Sequence, residues 1–123
     1  MYNHKESFED YLEKILELEV THPLIRAIDI AKAMNYSKPS VSIALKKLKN
    51  DELVDINSST GAIKLTNKGK IIAQRTLEKH NYIKKALIKL GVDENTSDED
   101  ACKIEHLLSE KTFEAIKKYV DND

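Results

Sequence analysis

Three residues near the end of the chain, Cys102, Glu105 and His106, have the types and the spacing of metal ligands. A thiolate, a carboxylate and an imidazole make a mixed soft and hard donor set. Positions three and four apart also project to one side of a helix, leaving Ile104, Leu107 and Leu108 to serve a core. A polar helix edge around a small buried thiol would produce the same pattern. Asp10 and Glu13, with Glu17, fall within about 60° of one another on a helix, which suits either a carboxylate site or a solvated stripe. His80, inside a long helical stretch, reads singly as a hydrogen-bonded structural histidine more readily than as a ligand.

A second chemistry, contact with phosphate, is carried by charge distribution. The chain has a net charge of -1, yet residues 35–79 hold nine basic and four acidic side chains, while both flanking segments are acidic. Phosphate contacts supply most sequence-independent affinity for nucleic acid, although a solvated basic face accounts for the charge equally well. Within this block, Ser37, Lys38 and Ser40 near a helix start can reach phosphates or base edges, and Lys46 and Lys47 suit phosphates. Ser42 shares their face, and Pro39 or Ile43 could pack on thymine methyls. Ser59 and Thr60 would sit at the tip of a following hairpin, against the backbone. No arginine offers a bidentate contact to guanine on that helix, so shape is expected to contribute to readout.

The elements that must position these residues follow from periodicity. Phe8, Tyr11, Leu12, Ile15 and Leu16 predict an amphipathic helix from Ser7 to about Val20, ending before His22-Pro23. Ile25, Ile28, Ile30, Ala31 and Met34 carry a second helix to Asn35. Ser37-Lys38-Pro39 opens a third, with Val41, Leu45 and Leu48 as its buried stripe. The period then changes. Leu53–Ile56 and Ala62–Leu65 flank Asn57-Ser58-Ser59-Thr60-Gly61 as a β-hairpin. Thr66 would cap a long helix running through Ile71, Ile72, Leu77, Ile83, Ala86, Leu87 and Leu90 to Gly91. An acidic loop leads to Ser97, whose spacing to Asp100 resembles a capping box; a helix through Leu108 and a last one over Thr112–Val120 close the chain.

The order of three helices and a two-stranded wing is that of a winged helix-turn-helix, in which the third helix enters the major groove. The expected architecture is mainly α: a winged helix-turn-helix DNA-binding domain over residues 1–72, joined by the long helix to a second helical domain over 73–123. At 123 residues, a large multi-lobed enzyme is excluded. With 41% apolar and 33% charged residues the chain should fold rather than remain disordered. Its single cysteine excludes an intrachain disulfide, no apolar run approaches the ~20 residues of a membrane span, and Met1–Glu9 lacks the apolar core of a signal peptide. A cytoplasmic location is expected.

Taken together, several motifs carry a resemblance. Glu9-Asp10-Tyr11-Leu12-Glu13, Leu65-Thr66-Asn67-Lys68-Gly69, Lys79-His80, Leu90-Gly91-Val92-Asp93 and Ala101-Cys102-Lys103-Ile104-Glu105-His106-Leu107-Leu108-Ser109 resemble the diphtheria toxin repressor and manganese transport regulator family of metal-dependent repressors. The resemblance runs from about Ser7 to Val120 and implies that the helical domain over 73–123 is a metal-binding and dimerisation domain. It implies that Asp10, Glu13, His80, Cys102, Glu105 and His106 converge on a divalent metal, Fe²⁺ or Mn²⁺, with Co²⁺, Ni²⁺ or Zn²⁺ able to substitute in vitro. Iron-responsive members have methionine at the position of Asp10 and cysteine at that of Cys102, whereas manganese-responsive members have Asp and Glu; this chain mixes the two. The ancillary site of iron-type members pairs a histidine matching His80 with a glutamate where this chain has Lys84 and a histidine where it has Asp98. A second site of that kind is expected to be absent or altered. The SH3-like domain of longer members is expected to be lacking in a chain ending at Asp123.

The function so implied is that of a homodimeric repressor, not an enzyme, which binds double-stranded operator DNA when its metal site is filled and controls metal homeostasis genes. Dimerisation is expected through Ser97–Leu108 and the end of the long helix. One alternative is a winged-helix DNA-binding protein without a metal response, with Asp10 and Glu13 merely solvated. Another is a small metalloenzyme, for which a catalytic metal would need an open position and a cleft.

Overall fold

The computed structural model describes residues 4–122, with side chains from Phe8 onward. Its elements are α1 (His4–Thr21), α2 (Ala27–Met34), α3 (Lys38–Asn50), β1 (Val54–Ile56), β2 (Ile63–Leu65), α4 (Asn67–Lys89), α5 (Glu94–Ile104) and α6 (Glu110–Asp121). Two compact units divide between Gln74 and Arg75, within α4.

In the first unit the apolar stripes of α1, α2 and α3 close on one core. Tyr11, Leu12 and Ile15 meet Ile25, Ile30 and Ala31, together with Val41, Ala44, Leu45 and Leu48. Local chemistry sets the breaks between helices. Asn35 takes the left-handed conformation (φ 57°) that ends α2. Ser37 then caps α3, its hydroxyl accepting the Ser40 N–H at 3.3 Å, with Pro39 in the first turn. β1 and β2 pair antiparallel in the register Val54 with Leu65 and Ile56 with Ile63, turning Val54 and Ile63 into the core. The Asn57 side-chain carbonyl accepts the N–H groups of Ser59 (2.8 Å) and Thr60 (3.0 Å), which organises the tip.

Thr66 caps α4 as expected, its hydroxyl accepting the Gly69 N–H at 3.0 Å and donating to the Glu52 carbonyl at 2.7 Å. Gly69 is the third helical residue. A Cβ there would land on the Leu53 carbonyl oxygen, so only glycine allows the first turn of α4 to lie against the chain entering the wing.

The second unit packs α4, α5 and α6 around Ile83, Ala86, Ala101 and Phe113. Tyr82 meets Phe113 edge-on at 6.0 Å, and Lys117 lies 5.4 Å from the Phe113 ring. Arg75 and Glu110 form an ion pair joining α4 to the start of α6.

Several expected boundaries move. α1 begins at His4 rather than Ser7, and α2 at Ala27, leaving Ile25 as a buried residue of the connection. α5 is capped by Asp93, whose carboxylate accepts the Thr96 N–H at 3.0 Å and is held below the usual carboxylate range by that bond. Ser97 is therefore not a cap. It is fully buried inside the helix, with its hydroxyl donating to the Val92 carbonyl. Because α5 ends at Ile104, Glu105 and His106 lie in the turn beyond it rather than on its face, and Leu107 is 69% exposed instead of serving the core. Ile71 and Leu90 also face solvent. α6 begins at Glu110 rather than Thr112 and is capped by Ser109, which accepts the Thr112 N–H at 3.2 Å.

Candidate metal centre and nucleic-acid interface

The donor cluster of the second unit is assembled by one turn of α4 and the end of α5. Ala101 packs fully buried against the unit's core and so anchors the last turn of α5. Glu105 follows as the C-cap residue, its N–H bonded to the Ala101 carbonyl at 3.0 Å, and its side chain turns inward to 1% exposure. Its Oε2 lies 2.9 Å from His80 Nδ1. The other face of the ring meets Asp98, Nε2 to Oδ1 at 2.8 Å, and Cys102 Sγ is 3.8 Å from Nδ1. His106 Nε2 comes within 3.4 Å of Glu105 Oε1, but Oε1 makes no hydrogen bond and is fully buried.

The electrostatics follow from this geometry. Bonds with Cys102 and Glu105, then with Asp98, push the His80 pKa up to about 11 against the opposing effect of burial. Asp98 is held below the usual carboxylate range, first by His80 and then by Lys84. A buried carboxylate with one unsatisfied oxygen is costly unless a charge meets it. The proton on His80 supplies part of that charge. Presenting a ring lone pair to a cation requires His80 to surrender this proton.

A buried carboxylate with one oxygen unbonded beside the His106 imidazole and the other on His80 is a donor set that suits a divalent transition metal. The structure thus brings His80 and His106 onto the two oxygens of Glu105, with Cys102 meeting His80 alone. Cys102 is exposed, which removes the buried-thiol alternative. Asp10 and Glu13 lie on α1 in the first unit; Glu13 is buried, Asp10 is half-buried and Glu17 is exposed, so these carboxylates do not form a uniform solvated stripe.

The candidate nucleic-acid residues fall on two elements of the first unit. On α3, Lys38, Pro39, Ser42, Ile43, Lys46 and Lys47 are exposed opposite the buried stripe. Ser37 and Ser40 share this end, but their hydroxyls are also engaged with each other at 2.9 Å in the cap. Ser59 and Thr60 are exposed at the wing tip. Arg26 was not legible in the sequence as part of this region. Its Nε donates to the Thr60 carbonyl at 3.1 Å, and the Ile63 N–H bonds the Ile25 carbonyl at 2.8 Å, so the α1–α2 connection ties down the wing across more than thirty residues of chain.

Residues 4–62 match the profile described as "Iron dependent repressor, N-terminal DNA binding domain", and residues 66–122 match "Iron dependent repressor, metal binding and dimerisation domain". The chain belongs to the iron-dependent repressor family. It is 38% identical over 118 residues to an uncharacterised helix-turn-helix-type transcriptional regulator of Methanocaldococcus jannaschii, with 94% of each chain covered. It is 31% identical to the transcriptional regulator MntR of Escherichia coli over 115 residues, covering 94% of this chain and 74% of that one. The solved structure of the manganese regulator SloR superposes with a TM-score of 0.82 at 32% identity, covering 94% of this chain and 54% of that one. The chain therefore spans about half the length of that solved relative. As a member of the iron-dependent repressor family it has the mainly helical, winged-helix fold, with the family's DNA-binding domain followed by its metal-binding and dimerisation domain. No helix among the described residues is long and apolar enough to cross a membrane.

Proposed function

We propose that the chain is a cytoplasmic, homodimeric transcriptional repressor, not an enzyme, whose binding to operator DNA requires a divalent metal, Fe²⁺ or Mn²⁺. The observation that carries the metal requirement is the buried, unbonded Oε1 of Glu105 beside His106 and His80. That atom also speaks against a family member without a metal response, in which the buried carboxylate would be compensated only in part, by His80. The ligand set is Asp10, Glu13, His80, Cys102, Glu105 and His106, as the family resemblance implies. A bound cation would supply the positive charge that a donor set so rich in carboxylates needs. The side chains do the rest. To hold the cation, His80 would yield its proton, Glu105 would offer its oxygens, and Cys102 would offer a thiolate or its carbonyl. Dimerisation uses the second unit, where Ile88, Leu90, Leu107 and Tyr119 stand exposed. Electrophoretic shift of operator fragments with and without each of Mn²⁺, Fe²⁺, Co²⁺ and Zn²⁺ tests this reading. Equal binding with and without every metal would refute it.

On DNA, Ser37, Lys38, Pro39, Ser40, Ser42, Ile43, Lys46 and Lys47 of the third helix face the major groove, and Ser59 and Thr60 touch the backbone. If Lys46 and Lys47 meet phosphates, replacing either with Ala should weaken binding to all sequences alike and reduce the salt slope by about one. Loss confined to one operator would contradict the assignment.

Metal choice rests on Asp10 and Cys102. With the thiolate as ligand, Cys102→Glu should shift activation from Fe²⁺ toward Mn²⁺, since a carboxylate suits the harder ion. Asp10→Met should move it the other way. Activation profiles of Cys102→Ala and Cys102→Glu that match the parent across all four metals would show that the side chain takes no part.

A further inference from the structure

His80 is gripped from both sides, and the two grips differ. On the Nδ1 side lie the buried Glu105 carboxylate at 2.9 Å and the Cys102 sulfur at 3.8 Å, the groups with donor capacity to offer a cation. On the Nε2 side lies Asp98 at 2.8 Å, whose side chain is half exposed. The same Asp98 oxygen is 3.6 Å from the Lys84 ammonium, one turn further along α4, and Lys84 reaches Glu94 at 3.6 Å as well. A neutral imidazole carries a single proton, and which nitrogen keeps it is decided by the better-placed acceptor.

We propose that Asp98, held by Lys84, is the positioning residue of the metal centre: it keeps the His80 proton on Nε2 and so fixes Nδ1 as the nitrogen that faces the metal. Asp98 is not a ligand. Lys84 places its ammonium on the outer side of the ring, where it compensates Asp98 and Glu94 together, so that this face holds a lysine instead of a second cation. The sequence departures at Lys84 and Asp98 thus acquire a role in the first site. This inference rests on the metal-binding reading above and adds to it the tautomer and the two residues that set it.

The test uses the 123-residue chain with Zn²⁺ as a diamagnetic probe, measured by calorimetry and by ¹⁵N–¹H correlation of the His80 ring. The loaded parent protein should show a protonated Nε2 and a metal-bound Nδ1. Asp98→Ala should weaken Zn²⁺ binding about 10–100-fold and lose that single-tautomer signature. Asp98→Asn, whose amide oxygen still accepts from Nε2–H, should restore the signature and most of the affinity. Lys84→Ala should fall between the two. A purely structural Asp98 would lower thermal stability in both Asp98 variants while leaving the ring spectrum of the loaded protein unchanged, and that result overturns the proposal. So does metal bound through Nε2. Failure of the parent protein to bind Zn²⁺ at all would instead defeat the metal-binding reading, a result visible before any variant is made.

Discussion

Glu105→Ala should abolish metal-dependent operator binding and raise the Kd for Mn²⁺ or Fe²⁺ by at least ~100-fold, since removing a ligand exceeds the 10–100-fold cost of disturbing a residue that only supports one. The size of the effect follows from position. Glu105 is the one fully buried carboxylate among the described residues, it bonds His80 through one oxygen, and its second oxygen lacks a hydrogen bond. Folding suffers too, because the substitution removes the buried partner of protonated His80 and leaves a cavity, so the Ala variant should be less stable than the metal-free parent. Calorimetric metal titration and thermal unfolding of the same sample separate the two effects. A variant that unfolds but, when folded, still binds metal as tightly as the parent would show Glu105 to be a structural residue only.

The second large effect concerns the DNA-reading unit alone. Gly69→Ala should cost at least ~3 kcal/mol and lower its thermal midpoint by roughly 10 °C or more, because the added methyl meets a backbone carbonyl that cannot rotate away. The Leu53 carbonyl also accepts the Thr66 N–H at 3.1 Å, so moving it disrupts the cap of α4 as well. Gly61→Ala is the control. Gly61 has φ 75° but open space around it, so its loss should stay near the ~1 kcal/mol of a left-handed residue. Comparable unfolding midpoints for the two variants would mean that conformation, not the close approach, is why glycine stands at position 69.

Legibility in the sequence tracked the range of the interaction. The hairpin between Leu53 and Leu65 was foreseeable because the apolar period itself changes there, and Asn35, Ser37 and Thr66 announce their caps through residue type. The start of α5 was not, since Asp93 and Ser97 each precede a plausible capping partner by three residues. Asp93 prevails because Ser97 is needed inside the core, where a small hydroxyl can reach the Val92 carbonyl. The inward turn of Glu105 could not be read from a pattern that places carboxylates on surfaces. Cys102 and His80 were visible as types, while the Lys84–Asp98–His80 chain joins residues that only the pairing of α4 with α5 brings together. Gly69 was visible as part of a motif without its reason, which lies in a carbonyl sixteen positions earlier.

The wing has a further implication for how such a protein can diversify. Its turn is held by the Asn57 side chain and by Arg26 gripping a backbone carbonyl, and neither attachment uses the side chains of Ser58 or Ser59. Shape and lettering are thereby uncoupled at the tip. A lineage could rewrite those two positions one step at a time without passing through an unfolded ancestor, so the hairpin is a place where new operator preferences can accumulate cheaply, while the third helix, whose serines serve both its cap and its outward face, is far less free to drift.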